Sequence, residues 1–291
     1  MIVVIGATGA IGGALARRLA ADGVPFRALV RRPDVSVPGA ETVVADLDDR
    51  SSLPAAFDGA TRLFLNAGGA VPVDGPQPMI AQQEAAIDAA VDTGVEHVVK
   101  ISVLGVADGG PLAVGAHARI ERHLAASGLA ATVLRPSGFL QNLITGVAGF
   151  TADGALLDPY AGGAVGYIDA EDIAACAHAV LTGAAPGGGT HELTGPVALT
   201  HADLAAALST VLGRPVGVSS PALDELEPTL VAQGLPPSFA RDVAALATGV
   251  ALGELAVVTP EVERLTGRPP RSAETFLAAH AAELRALLAR P

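Results

Sequence analysis

Short apolar runs alternate with longer amphipathic segments through the first half of the chain. The runs at 2–5, 26–30, 42–45, 62–66, 97–102 and 131–135 are almost continuously hydrophobic and rich in β-branched residues, as expected of strands covered on both faces. Between them, Ala- and Leu-rich segments at 11–22, 51–57, 77–93, 114–127 and 137–146 carry the helical period. This alternation predicts an α/β fold: a Rossmann-type doubly wound parallel sheet whose strands are joined by crossover helices.

After about residue 150 the alternation gives way to Gly- and Pro-rich connections. Strand-like stretches at 165–168 and 190–194 precede helices at 172–181 and 201–212, and the stretch 221–253 divides into two helices at Leu235-Pro236-Pro237. No period of 20–50 residues repeats. The expected organisation is a nucleotide-binding core over 1–150 and a smaller α+β lobe over 151–291. That lobe is integrated with the core and covers the carboxyl edge of the sheet, where open α/β folds bind ligands.

Composition narrows the function. Of 291 residues half are apolar, so the chain can bury a large core. The net charge of −12 comes from dispersed acids without a Lys/Arg cluster, which argues against a nucleic-acid partner. Cys176 is the single cysteine, so no internal disulfide can form, and neither cysteine nor the scattered histidines show metal-ligand spacing. The high mean hydropathy is spread through amphipathic helices rather than gathered in one span. With no targeting segment in view, a cytoplasmic monomer or homodimer acting on a small molecule is expected.

The strongest local signal is Gly6-Ala7-Thr8-Gly9-Ala10-Ile11-Gly12, placed between the first strand and the first helix. In that context Gly6 allows a tight turn, Gly9 lets the backbone approach a pyrophosphate, and Gly12 allows helix and strand to pack closely. The amides of Thr8, Ala10 and Ile11 then face the phosphate charge. Arg31 and Arg32 end the second strand where NAD sites usually carry a carboxylate, which favours NADP(H) over NAD(H), although Asp34 could bend back toward the ribose. Asp46 and Leu47 after the third strand are candidates to flank the adenine. Asn66, Ala67 and Gly68 after the fourth would pass beneath the cofactor.

These motifs resemble the NmrA-like group of atypical short-chain dehydrogenases/reductases, which includes NAD(P)H-dependent quinone oxidoreductases and redox-sensing regulators. The likeness rests on 4–9, Leu29-Val30-Arg31-Arg32, Val98-Val99-Lys100-Ile101-Ser102, 120–129, Thr132-Val133-Leu134-Arg135-Pro136 with Phe139 and Asn142, 169–173, and Thr266-Gly267-Arg268-Pro269-Pro270. It implies that Ser102 and His117 occupy the positions of the serine and the lysine of such enzymes, and Ala113 that of the proton-donating tyrosine. His117 also reads as a helix-surface residue paired with Glu121, and Ser102 as a strand-end serine serving local backbone groups. Pro136 and Gly138 would border the nicotinamide, with Phe139 and Asn142 in the substrate space, though Phe139 could equally pack into the core.

Without the tyrosine, the expected reaction is NAD(P)H-dependent hydride transfer to a small conjugated carbonyl or quinone-type acceptor, with the protein supplying chiefly orientation. Two alternatives stand beside it. One is a non-catalytic protein that senses NADP(H); the other is a metabolite-specific biosynthetic reductase or isomerase.

Overall fold

The computed structural model describes residues 1–145 and 148–288. The first half follows the alternation: β1 (Ile2–Ile5), α1 (Ala10–Ala21), β2 (Phe26–Val30), β3 (Glu41–Val44), a 3-10 turn (Arg50–Ser52) running into α2 (Leu53–Phe57), β4 (Arg62–Leu65), α3 (Met79–Asp92), β5 (His97–Ile101), α4 (Ala113–Ala126) and β6 (Ala130–Pro136). There follow α5 (Asn142–Thr145), β7 (Leu156–Leu157), α6 (Ala170–Thr182), β8 (Gly189–Leu193), α7 (His201–Leu212), β9 (Val218–Ser219), α8 (Leu223–Ala232), α9 (Pro237–Ala251), α10 (Glu261–Thr266), α11 (Ala273–Ala279) and α12 (Ala281–Leu288).

The main sheet is parallel throughout, in the order β3-β2-β1-β4-β5-β6-β8. Strand order therefore reverses between β1 and β4, and ligands of open α/β sheets bind outside the carboxyl ends at such a point. Leu15, Leu19, Phe26, Phe64 and Ile173 fill one face under α1 and α6, while Leu53, Phe57, Leu63, Ile87 and Ile120 fill the other under α2, α3 and α4. Each such side chain contributes about 1.5–3 kcal/mol relative to exposure, and the two layers clamp the strand ends in register. The later half contributes α6 and β8 to this sheet layer. Val262 and Leu265 of α10 join the α1–α6 face, and a third core gathers Leu140, Leu156, Leu204, Leu208, Phe276 and Leu284.

Two expected elements differ. The helix expected at 137–146 is confined to α5, because 137–139 runs beside 167–168 before the chain turns at 140–141: Ile168 N–H donates to the Gly138 carbonyl and Leu140 N–H to that of Ile168. Gly146, the end of that expected helix, lies outside the described residues. The stretch 165–168 forms only isolated bridges, Phe139 with Ile168 and Val165 with Leu199, rather than a full strand. Among the described residues no helix is long and apolar enough to cross a membrane.

Candidate active site

The Gly6–Gly12 turn is shaped by close backbone contacts. Gly6 has φ +77°, and a Cβ there would stand 2.3 Å from the Asn66 carbonyl oxygen, so the loops after β1 and β4 touch. A Cβ on Gly12 would fall 2.1 Å from the Gly6 carbonyl oxygen. Gly9 is different: a Cβ there would meet only that same oxygen, at an ordinary 3.5 Å, so the protein itself does not require glycine at this position. Gly9 is the N-cap of α1 without a side-chain cap, and the first turn holds no acid. Among the described residues, no backbone carbonyl accepts from the amides of Ala10, Ile11 or Gly12. Thr8, Gly9 and Ala10 are exposed, Ile11 and Gly12 buried. Uncapped amides at the positive end of a helix, with open space over Gly9, fit a dinucleotide pyrophosphate.

The neighbouring strand ends complete an edge. Arg31 and Arg32 follow β2 directly and are exposed; among the described residues the only carboxylate within 4 Å of either is Asp34, 3.9 Å from Arg32, with both side chains 74% exposed. Asp46 is half-buried and tied into its own turn, where Oδ1 accepts from Asp48 N–H at 3.1 Å, and Leu47 packs against the α2–α3 side of the core. Asn66 and Ala67 are half-buried, whereas Gly68 and Gly69 face open space.

Beside this edge opens a cleft of about 690 Å³. Leu104 and Leu112 from the β5–α4 loop form one side, and Pro136 at the end of β6, Gly138 and Phe139 after it and Asn142 at the start of α5 form the floor. Leu246, Val250, Leu252 and Leu255, on α9 and just past it, close the top. Ala113 lies in the wall, so a methyl group stands where the resemblance puts a tyrosine. Tyr160 and Tyr167 are not part of the lining. Gly138 leaves room for Tyr167 behind the loop, since a Cβ would approach its ring to 3.1 Å.

Ser102 and His117 lie behind the cleft rather than in its lining. Ser102 is 1% exposed, and its hydroxyl donates to Glu121 Oε1 at 2.5 Å. Glu121 also takes Arg135 as a fork, Nε to Oε1 at 3.2 Å and Nη2 to Oε2 at 2.6 Å, which bolts α4 to β6. That hydrogen bond raises the Arg135 guanidinium further above its ordinary value. His117, 6% exposed, does not pair with Glu121; its Nδ1 lies 2.8 Å from Nζ of the fully buried Lys100. Burial, and then the nearby Lys100, depress the imidazole to about 3, and burial depresses Lys100 to about 7.

Sequence reasoning missed Lys100 and the α9 wall. The signal for the first was a lone cation inside an apolar strand; that for the second was an apolar stripe at Ala245, Leu246, Gly249 and Val250.

The chain is 34% identical over 287 residues to an NAD(P)H azoreductase of Xenophilus azovorans, covering 97% of this chain and 98% of that one. It is 35% identical over 286 residues to a (4-alkanoyl-5-oxo-2,5-dihydrofuran-3-yl)methyl phosphate reductase of Streptomyces griseus, with 97% and 98% covered. The solved structure of an NADPH-dependent quinone oxidoreductase of Escherichia coli in complex with NADPH matches with a TM-score of 0.80 at 26% identity, over 97% of this chain and all of that one. The NmrA-like family model matches residues 1–239, and with these relatives it establishes that the chain belongs to the NmrA-like family.

Proposed function

We propose that the protein is an NAD(P)H-dependent oxidoreductase, NADPH being preferred, that reduces a small, largely apolar acceptor with a conjugated carbonyl, quinone or azo group. The observation that carries this reading is an aliphatic cleft outside the carboxyl ends of β5 and β6, on the same edge of the parallel sheet that carries the Gly6–Gly12 turn after β1. The bound cofactor supplies the hydride. The chain's own residues bind, orient and exclude water.

The amides of Thr8, Ala10 and Ile11 hold the pyrophosphate, and Arg31 and Arg32 reach the ribose 2′-phosphate. Asp46 and Leu47 border the adenine; Asn66, Ala67 and Gly68 run beneath the cofactor. Pro136 and Gly138 back the nicotinamide, while Phe139 and Asn142 face the acceptor. His117 serves the cofactor edge as a neutral donor, and Ser102 acts through Glu121 to hold α4 in place.

Ala113 in the wall removes the usual phenolic proton donor, which suits acceptors that delocalise the developing charge. The names of the relatives, an azoreductase and a quinone oxidoreductase, agree with such acceptors. A cofactor sensor without turnover has no observation of its own here.

The test is NADPH oxidation at 340 nm across quinones, azo dyes and enones, beside titrations of NADPH and NADP+. Turnover with at least one class is expected. Tight binding with no turnover on any acceptor would overturn the reading.

A further inference from the structure

Lys100 sits mid-strand in β5 with no exposed surface. Its Nζ touches the Ile101 carbonyl oxygen at 3.0 Å and Nδ1 of His117 at 2.8 Å, and neither is an anion. Glu121, the carboxylate that acts on it from α4, is taken by Ser102 and Arg135, and Arg135 on β6 adds a second positive charge on that side. A buried ammonium without a carboxylate of its own is an expensive arrangement. Its geometry nevertheless does something definite to the imidazole.

The Ile101 carbonyl can only accept, so Nζ donates there, and the protonated lysine can only donate to Nδ1 as well. Nδ1 is then the lone-pair nitrogen, and the ring proton resides on Nε2. Nε2 has no hydrogen-bond partner among the described residues and is not one of the sealed polar atoms. On α4, His117 follows Ala113 and Val114, both in the cleft wall, by one turn.

We propose that Lys100 is a positioning residue that locks His117 as the neutral Nε2–H tautomer, so that the imidazole offers a hydrogen-bond donor to an oxygen at the cofactor end of the cleft. The inference rests on the proposed reductase reading for its ligand, either a ribose hydroxyl or the acceptor's carbonyl, and on geometry alone for the tautomer. Lys100 and His117 thus act as one unit: β5 supplies the charge and α4 the donor.

The experiment is nitrogen-15 NMR of histidine-labelled protein between pH 6 and 9, on wild type and Lys100→Met. Wild type is expected to show His117 protonated on Nε2 and bare on Nδ1 at pH 6, where Lys100 carries its proton, and to relax toward mixed tautomers as the lysine releases it above about 7. Lys100→Met is expected to give mixed tautomers and an imidazole that titrates at higher pH. A wild-type ring protonated on Nδ1 at pH 6 overturns the proposal, and needs no variant to fold; so does a ring spectrum at pH 6 unchanged in a folded Lys100→Met. Addition of NADP+ alone moves the Nε2 resonance if the ribose is the partner, and only NADP+ with 1,4-naphthoquinone moves it if the acceptor is. If neither moves it, the assigned donor role falls. Absent turnover beside an intact Nε2–H tautomer would sink the reductase reading and leave the lock standing.

Discussion

Oδ2 of Asp242, on α9, accepts the backbone N–H of Leu112 at 3.1 Å, joining the helix above the cleft to the loop that forms its side. Leu112 is held at φ +48°, ψ −122°, a conformation that non-glycine residues rarely adopt and that costs about 1–3 kcal/mol. The strain persists because something holds it. The hairpin of α8 and α9 is otherwise held through α9, which buries Ala240, Ala247 and Val250 and whose Ser238 hydroxyl donates to Asp74 Oδ1 at 2.7 Å; α8 has no buried residue, and Leu252 at the end of α9 is 78% exposed.

Replacing Asp242 by Ala is therefore expected to loosen the cover without touching the cofactor cradle. A hydrogen bond to a carboxylate contributes about 1.5–3 kcal/mol, so the acceptor KM should rise roughly 10-fold or more while the NADPH Kd changes little. Hydrogen exchange should quicken at 112–116 and through α8 and α9. Asp242→Asn, which keeps an acceptor oxygen, should lie between. An unchanged KM and exchange pattern in Asp242→Ala would show that the hairpin is held by other means.

The Lys100–His117 pair makes stability depend on pH in two windows. Unfolded lysine keeps its proton to about 10.5, whereas the folded one releases it near 7. The unfolded state thus binds more protons across that interval, so stability rises with pH through it. On the acid side the unfolded imidazole takes a proton near 6.5 that the folded ring refuses until about 3, so stability falls as pH drops between those values. Urea unfolding at pH 7 and pH 9.5 should show wild type gaining more than Lys100→Met over the step. Equal gains would place the lysine's proton outside the folding equilibrium.

The parts of this protein legible in its sequence are those whose cause is local. The strands were readable because parallel, doubly covered strands are apolar throughout, as at Val3-Val4-Ile5 and Val98-Val99, and the glycine turn because strand, turn and helix are contiguous. The non-helical path at 137–141 was not readable: Pro136 followed by Phe139, Leu140 and Leu143 suits a helix start, and the pairing of 138–140 with Ile168 keeps it open. Helices α11 and α12 are short, and their core is assembled from single side chains of distant elements, Leu140 with Leu208 and Phe276. The cleft depends on where α9 comes to rest, and Lys100 gains its meaning only opposite His117.

In the proposed reading Arg31 and Arg32 set the choice of dinucleotide. Both are exposed, and Asp34 stands too far from Arg32 to hold it firmly. A charged hydrogen bond to a phosphate contributes about 1.5–3 kcal/mol, so the double change to Ala should raise the NADPH Kd by about 10- to 100-fold and leave NADH within a few-fold. Isothermal titration with both dinucleotides decides it. Equal losses for the two would refer the arginines to the fold or to the surface.

Gly9 and Gly12 separate binding from folding within one turn. A methyl group on Gly12 has no space, standing 2.1 Å from the Gly6 carbonyl oxygen, so Gly12→Ala must shift α1 against β1 and lower the melting temperature. A methyl on Gly9 meets nothing closer than 3.5 Å and enters the open space over the helix start, where a pyrophosphate would lie. Gly9 is not at positive φ either, at φ −85°, so the backbone accepts alanine. Gly9→Ala should therefore melt within a degree or two of wild type or slightly higher, because alanine restricts the unfolded chain, yet bind NADPH at least about 10-fold more weakly. Thermal denaturation and a fluorescence titration of the same two preparations make the comparison. A Gly9→Ala protein that keeps both its melting point and its NADPH affinity would show that the cofactor does not pass over this turn.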